Sequence, residues 1–301
     1  MTRNRWLVPL IATAGLAFGI AGCGSSSRNL TSGNGAGSIE VTMANYSFSV
    51  SGKLTQGEQI HLKNAGTEVH MMGLSKLNPG VTVAQVKDAL AKADPNSQSN
   101  PLEQLVSEQV NWPGGIVGPG NEVTVSAANL SPGTYAVICF LPQEGSGRPH
   151  FTLGMVGELD VVAGAAKKTK KPDAVYTATE GQPLVGPTKL KAGVRTVQVT
   201  GTGDSSKLQP QLVHASSASQ TPEQINDLLN QEFGGDAAPS KGSGSRLGPY
   251  VPYLGFDMDA SKTVTITYDF KPGTYYLAAQ PDTGNNGPST VPKELIKITV
   301  S

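Results

Sequence analysis

Apolar and polar residues alternate along most of this chain, with the period of β-strands. Ile39-Glu-Val-Thr-Met43 sets every second residue on one face, and Tyr46 to Val50 and Gln59 to Lys63 continue the pattern around a turn at Lys53 to Gly57. Further strands are predicted at Glu122 to Ala127, Tyr135 to Phe140 and Val156 to Val162, the second entered through the turn Pro132-Gly133. The period changes after Thr82-Val-Ala-Gln85, a capping-box start followed by Val83, Val86, Ala89 and Leu90 at helical spacing and stopped by Asp94-Pro95. A second short helix is expected over Pro101 to Val110, and Trp112-Pro-Gly-Gly115 reads as a turn back to strand.

The second half repeats the first. Phe270-Lys-Pro-Gly-Thr-Tyr275 answers Leu130-Ser-Pro-Gly-Thr-Tyr135, and each follows an alternating strand, Thr263 to Tyr268 and Val123 to Ala128. Thr221-Pro-Glu-Gln224 starts a helix as Thr82 does, with Pro222 at the favoured first position and Ile225, Leu228 and Leu229 as its apolar stripe. Gly234 to Pro249 is rich in Gly, Ser and Pro and has no assigned role.

The N-terminal stretch is different in kind. Arg3 and Arg5 precede an apolar run from Trp6 to Ile20, too short for a comfortable membrane span of about 20 residues, which reads as a signal peptide. It ends Ile20-Ala-Gly-Cys23, which resembles the lipobox of bacterial lipoproteins; the resemblance implies that Cys23 is lipidated and begins the mature chain. Gly24 to Gly37 then forms a flexible tether. Gly164 to Pro172, with four lysines, is a solvated linker. The expected organisation is a signal over 1–23, a tether over 24–37, one domain over 38–163, a linker over 164–174 and a second domain over 175–301.

Charge and cysteine usage narrow the function. Lys+Arg and Asp+Glu balance at 23 each, which argues against nucleic acid as a partner. Many Gly and Pro and few aromatics fit an all-β protein outside the cytoplasm. The chain has 2 cysteines, and lipidation of Cys23 leaves Cys139 without a disulfide partner in its own chain. A thiol in that position is a buried core residue, an interchain bridge or a ligand.

Cys139 ends a strand, and the loop after it carries His150 and Met155. Thiol, imidazole and thioether are soft and borderline donors that suit copper, and Asn64-Ala-Gly-Thr-Glu-Val-His70 can supply a second imidazole. This set resembles the cupredoxin (blue, type 1 copper) family, in which an Asn-x-Gly segment leads to the first His and a Cys…His…Met loop joins the last two strands. The resemblance runs from about Ser38 to Ala163, and His150-x-x-x-x-Met155 matches one of the family's loop spacings. It implies an all-β fold of two Greek-key β-sandwich (cupredoxin-like) domains, each with a short helical insertion. It also implies a copper ion held by His70, Cys139 and His150 with Met155 as the weak axial ligand.

The expected function is that of a membrane-anchored electron carrier exchanging electrons with a redox partner protein. The resemblance sets His150 near the surface, where Pro142, Pro149, Phe151 and Leu153 would form an apolar apron for that partner. Counting from Pro-Gly-Thr-Tyr, Cys139 falls on Ala279, and counting back from the helix-start Thr, His70 falls on Gln209, so the second domain is expected to lack metal. Its His214 reads as structural.

Two rival readings stay open. One is a copper-handling lipoprotein that uses Met71 or Met72 as additional thioethers; the other is a metal-free envelope binding protein with Cys139 in its core. An enzyme is not expected. The 4 histidines are too few for the catalytic coppers of a multicopper oxidase, and neither a Gly-x-Ser-x-Gly elbow nor a His-Glu-x-x-His helix occurs. Zinc could use His70, Cys139 and His150, but Met is a poor zinc ligand.

Overall fold

The computed structural model describes residues 37–92, 101–128, 130–165, 170–179, 182–202, 208–233, 253–255, 263–281 and 295–301. The expected signal, Cys23 and the tether through residue 36 lie outside these, as do Asp94-Pro95, Lys167, Lys168 and the loop at 234–250.

The fold is all-β, as the alternation predicts, with two short α-helices among the described residues. The first half contains β1 (Ser38–Ala44), β2 (Ser47–Val50), β3 (Leu54–Thr55), β4 (Gln59–Asn64), β5 (His70–Leu77), α1 (Val83–Ala91), β6 (Val106–Val117), β7 (Glu122–Ser126), β8 (Gly133–Ile138) and β9 (Val156–Val162). The second contains β10 (Ala174–Thr179), β11 (Lys189–Leu190), β12 (Gly193–Thr202), β13 (Leu208–His214), α2 (Pro222–Phe233), β14 (Tyr253–Gly255), β15 (Thr263–Phe270), β16 (Gly273–Pro281) and β17 (Ile296–Val300).

These strands form two sheets, and each runs through both halves. The 7-stranded sheet is ordered β10-β12-β15-β7-β4-β1-β2 and the 10-stranded sheet β11-β17-β16-β13-β14-β6-β5-β8-β9-β3. Read from the middle outward the orders mirror each other: β7, β4 and β1 correspond to β15, β12 and β10. In the larger sheet β6, β5, β8, β9 and β3 correspond to β14, β13, β16, β17 and β11. The repeat seen in sequence is therefore a pseudo-twofold arrangement. The halves join where β7 pairs antiparallel with β15 (Val125 opposite Ile266) and β6 with β14 (Val117 opposite Leu254). Across the first junction a row of buried polar side chains links four strands. Thr196 Oγ1 lies 3.0 Å from Thr267 Oγ1, Thr267 faces Thr124, and Thr124 Oγ1 lies 3.2 Å from His61 Nδ1. Cross-strand pairs of this kind stabilise a sheet by ~0.2–1 kcal/mol each.

One apolar core fills the space between the sheets and spans both halves, from Ile39, Val41 and Met43 through Val123, Val137 and Cys139 to Tyr176, Val199, Phe270 and Ile298. The helices cover the outer face of the larger sheet. Val83, Val86 and Leu90 of α1 pack on Ala136, Ile138 and Val156, while Ile225 of α2 packs on Val213, Tyr276 and Ala278. The Thr82 capping box forms as predicted.

The Pro-Gly-Thr-Tyr motif makes the same corner twice. Tyr135, fully buried, donates its hydroxyl to Ser131 O at 2.8 Å, and Tyr275 Oη accepts Lys271 N–H at 3.1 Å. Gly133 and Gly273 share a backbone conformation, φ 150° and 154°, and a side chain crosses closely over each of them. A Cβ on Gly133 would lie 2.8 Å from Lys76 Cε, and one on Gly273 would lie 2.4 Å from His214 Nε2. His214 also stacks on Tyr275 at 4.2 Å, so its role is packing.

Two local expectations are corrected. Residues expected to form a second helix, Pro101 to Val110, instead make a turn and enter β6, and Trp112 to Gly115 continue that strand rather than turning. Pairing with β5 from Leu77–Val106 to His70–Val117 supplies the backbone partners, and register shifts at Met72/Leu74 and Lys76/Leu77 absorb the residues that broke the alternation.

Candidate metal centre

Three of the predicted donors come together between the ends of β4, β5 and β8. Asn64, the last residue of β4, is buried and fixes the loop that follows. Its side-chain NH2 donates to Glu68 O at 2.8 Å and Val117 O at 2.7 Å, and its Oδ1 accepts Gly66 N–H at 2.9 Å. This turn delivers His70 as the first residue of β5. Gly66 lies against the ring, since a Cβ there would be 2.7 Å from His70 Nε2. That contact sets Nε2 toward the loop, and Nδ1 faces inward.

Cys139 follows β8 directly and donates its N–H to Met155 O at 3.2 Å. The long segment to His150 folds back on itself. Gln143 N–H donates to Arg148 O at 2.7 Å, Gly147 N–H to Gln143 O at 3.0 Å, and Pro142 bridges Pro149. The chain then returns alongside its own start: His150 N–H reaches Leu141 O at 2.8 Å and Phe151 N–H reaches Cys139 O at 3.0 Å. A 3-10 turn over His150–Leu153 ends at Gly154, whose φ of 102° favours glycine, and Met155 N–H closes on His150 O at 3.1 Å.

The result is a compact donor set. His150 Nδ1 lies 3.3 Å from Cys139 Sγ and 3.3 Å from His70 Nδ1, and all three donor atoms lie within 4.8 Å of one another. Cys139 and His150 are 0% exposed and His70 is 1% exposed. Met155 is also fully buried, in the same cluster as Cys139, and its main chain is tied to both Cys139 and His150. Met71 N–H points at Cys139 Sγ at 3.3 Å; Met72 is core, and Met71 packs partly buried against that core.

Burial controls the protonation of these groups. It pushes the His70 imidazole down to about 4, with His150 beside it adding to the effect, and lowers His150 against the opposing pull of Glu68. It pushes the Cys139 thiol up to about 11 despite the stabilising Met71 N–H. Two neutral imidazoles and a thiol thus converge in a dry pocket. An ion with nitrogen ligands at ~2.0–2.1 Å and sulfur at ~2.3 Å needs ligand atoms roughly 3.3–3.8 Å apart in a trigonal or tetrahedral array. The two separations from His150 Nδ1 stand at the short end of that range and the third is within 4.8 Å, and the mixed N/S donor set suits copper.

His150 is expected near the surface among Pro142, Pro149, Phe151 and Leu153; in the structure Pro142 is exposed and the other three are half-buried, while His150 itself is covered. The ring is wholly buried, and its Nε2 lies 3.0 Å from Glu68 Oε2. Tyr46 covers it further, in edge contact at 4.9 Å between ring centres. Of the apron, Phe151 packs toward the α1 cluster and meets Phe140 edge-on at 5.7 Å. Glu68 and Tyr46 were not singled out as site residues from the sequence. Glu68 shares strand parity with His70 but serves His150 instead, and Tyr46 sits not in a strand but at a turn with φ 62°. In the second half, Ala279 stands where Cys139 does. The ladder sets Leu208 rather than Gln209 opposite His70, because His214 and Lys76 are the paired positions and the connection to the helix is one residue longer.

No family model matches the sequence, and no curated protein matches it. Solved structures do. A reduced auracyanin of Roseiflexus castenholzii is 21% identical over 42% of this chain and 96% of its own, with a TM-score of 0.27. Auracyanin A, a blue copper protein of Chloroflexus aurantiacus, is 20% identical over 42% and 98%, with a TM-score of 0.24. A multicopper oxidase is 10% identical over 88% of this chain and 89% of its own, with a TM-score of 0.22.

Proposed function

We propose that the chain is a copper protein that carries electrons by outer-sphere transfer, anchored outside the cytoplasm to a bacterial cell membrane by lipidated Cys23. Residues 38–163 form its copper domain, and 175–301 form a second domain without metal. The observation that carries this reading is the convergence of His70, Cys139 and His150, each 1% exposed or less, on one enclosed point.

Copper held there would supply a one-electron couple. The chain's own contribution is a rigid donor set. The segments bearing His70 and Cys139 are neighbours in one ladder, with Gly73 opposite Ile138 and Leu74 opposite Val137. The loop bearing His150 is tied to both ends of Cys139 by main-chain hydrogen bonds. Ligands anchored this way move little, which keeps the cost of electron exchange low. A closed site also favours a resident ion over cargo, because a delivery protein needs donors that a recipient can reach. In this reading the chain is no enzyme, and its partner is a redox protein.

The test is the visible absorption spectrum of the soluble mature protein loaded with Cu(II), beside Cys139→Ala. An intense sulfur-to-copper charge-transfer band, absent from the variant, is expected. Copper bound without the band would favour copper handling, and failure to bind copper would reduce the likeness to one of fold.

A further inference from the structure

Glu68 has no ligand role in the donor set above, yet it is the most fully engaged carboxylate near it. Its Oε2 lies 3.0 Å from His150 Nε2, its Oε1 accepts Tyr46 Oη–H at 2.8 Å, and Glu144 N–H approaches Oε2 at 3.4 Å. The side chain is 17% exposed and that of His150 1%. Tyr46 is itself held, since Gln143 Nε2 donates to its hydroxyl at 2.8 Å. Asn45 and Tyr46 carry φ values of 44° and 62°, a conformation that non-glycine residues adopt at a cost and that the surrounding structure must maintain.

The hydrogen bonds have one direction. An ionised carboxylate only accepts, and Tyr46 and Glu144 both donate to it. The third partner, His150 Nε2, must therefore donate too. A neutral imidazole with its hydrogen on Nε2 leaves a lone pair on Nδ1, the atom that faces Cys139 Sγ and His70 Nδ1 at 3.3 Å. Glu68 itself cannot reach an ion held by that lone pair, because it sits on the opposite edge of the ring.

We infer that Glu68 is the positioning residue of this site: it fixes His150 in the Nε2–H tautomer and so presents Nδ1 as a ligand, while Tyr46 holds Glu68 in place. The inference rests on the reading of the cluster as a metal site, but the ring state it assigns is a property of the metal-free protein. A carboxylate behind a ligating imidazole also raises the basicity of the ligand nitrogen, and losing such a partner typically costs ~10–100-fold in metal affinity.

The experiment uses the full mature chain with 15N-labelled histidine. In the metal-free protein, the His150 ring nitrogens of wild type should show the Nε2–H tautomer. Glu68→Ala should give a mixture with the Nδ1–H form, and Tyr46→Phe should fall between the two. Glu68→Gln keeps the shape and one acceptor oxygen, so it should retain most of the Nε2–H form and guards against a Glu68→Ala protein that does not fold. Competition titration with Cu(II) should weaken binding ~10–100-fold in Glu68→Ala and less in Glu68→Gln. An unchanged tautomer in Glu68→Ala, with Cu(II) affinity within twofold of wild type, overturns the inference while leaving the metal site standing. A shifted tautomer in a protein that binds no copper upholds the positioning role and removes the metal reading instead.

Discussion

Gly66→Ala tests whether the Asn64 turn holds His70 by direct packing. A Cβ at residue 66 would lie 2.7 Å from His70 Nε2, 3.2 Å from His70 Cδ2 and 3.2 Å from Asn64 Oδ1. An ordinary carbon–nitrogen contact is roughly 3.5 Å, so the ring or the turn must give by about 0.8 Å. Neither has free space: His70 and Asn64 are each 1% exposed, and Asn64 is committed to Glu68 O, Val117 O and Gly66 N–H. Overpacking of this kind costs ~1–3 kcal/mol. Against it stands a gain of about 0.4–1 kcal/mol from the stiffer unfolded chain. The net expectation is a loss of roughly 0–2.6 kcal/mol in the metal-free protein, with weaker Cu(II) binding as Nδ1 leaves its place. Gly52→Ala is the control, because a Cβ there meets nothing within 4 Å. Urea denaturation of both variants reads the stability and competition titration reads the metal. If Gly66→Ala is as stable as Gly52→Ala and binds Cu(II) as wild type does, the turn does not hold His70 in this way.

Other perturbations reach the scaffold and the site separately. Tyr135→Phe removes the part-buried corner hydrogen bond to Ser131 O; urea denaturation should show a loss of about 0.5–1.5 kcal/mol. Thr82→Ala breaks the capping box of α1 at an exposed position; the same assay should show a loss of ~0.5–2 kcal/mol with copper binding unchanged. Gly273→Ala drives a Cβ into His214 Nε2; it should destabilise by ~1–3 kcal/mol, and the double variant with His214→Ala should recover part of that loss in a double-mutant cycle. Saturating Cu(II) at about 100 times its dissociation constant should stabilise wild type by ~2.7 kcal/mol and leave Cys139→Ala unmoved.

Much of the first half was legible because it rests on short-range signals, whereas β5, β6, β10 to β14 and β17 were not read as strands. Alternation placed β1, β4, β7, β8 and β9, and the repeated Pro-Gly-Thr-Tyr turn marked the equivalent halves. What could not be read is what depends on pairing across the chain. Residues 106–117 look helical and then turn-like by local propensity, yet their backbone groups are claimed by β5, and tertiary pairing overrides propensity. The donors were legible as residue types at a spacing, and the main-chain ties around Cys139 explain how His150, eleven positions further along, can still meet its side chain. Glu68 and Tyr46 were not legible, because a carboxylate in a loop and a tyrosine after an asparagine carry no sign of which ring they will meet.

The repeat separates what the fold requires from what the site requires. The second half has the same strand order, the same tyrosine corner and the same helical insertion, with Leu208 and Ala279 where the first half has His70 and Cys139. Ala279 lies in the apolar core. The donors of the first half are therefore not needed to close a sandwich of this kind, and burying them has a cost: imidazole and thiol lose water, which their contacts with one another, with Glu68 and with the Met71 N–H replace only in part. The proposed copper site would account for that cost in one half and its absence at the equivalent positions of the other. The shared sheets give the arrangement a physical consequence. The second half extends both ladders and the core on the side away from β9, pairing β14 with β6 and β15 with β7.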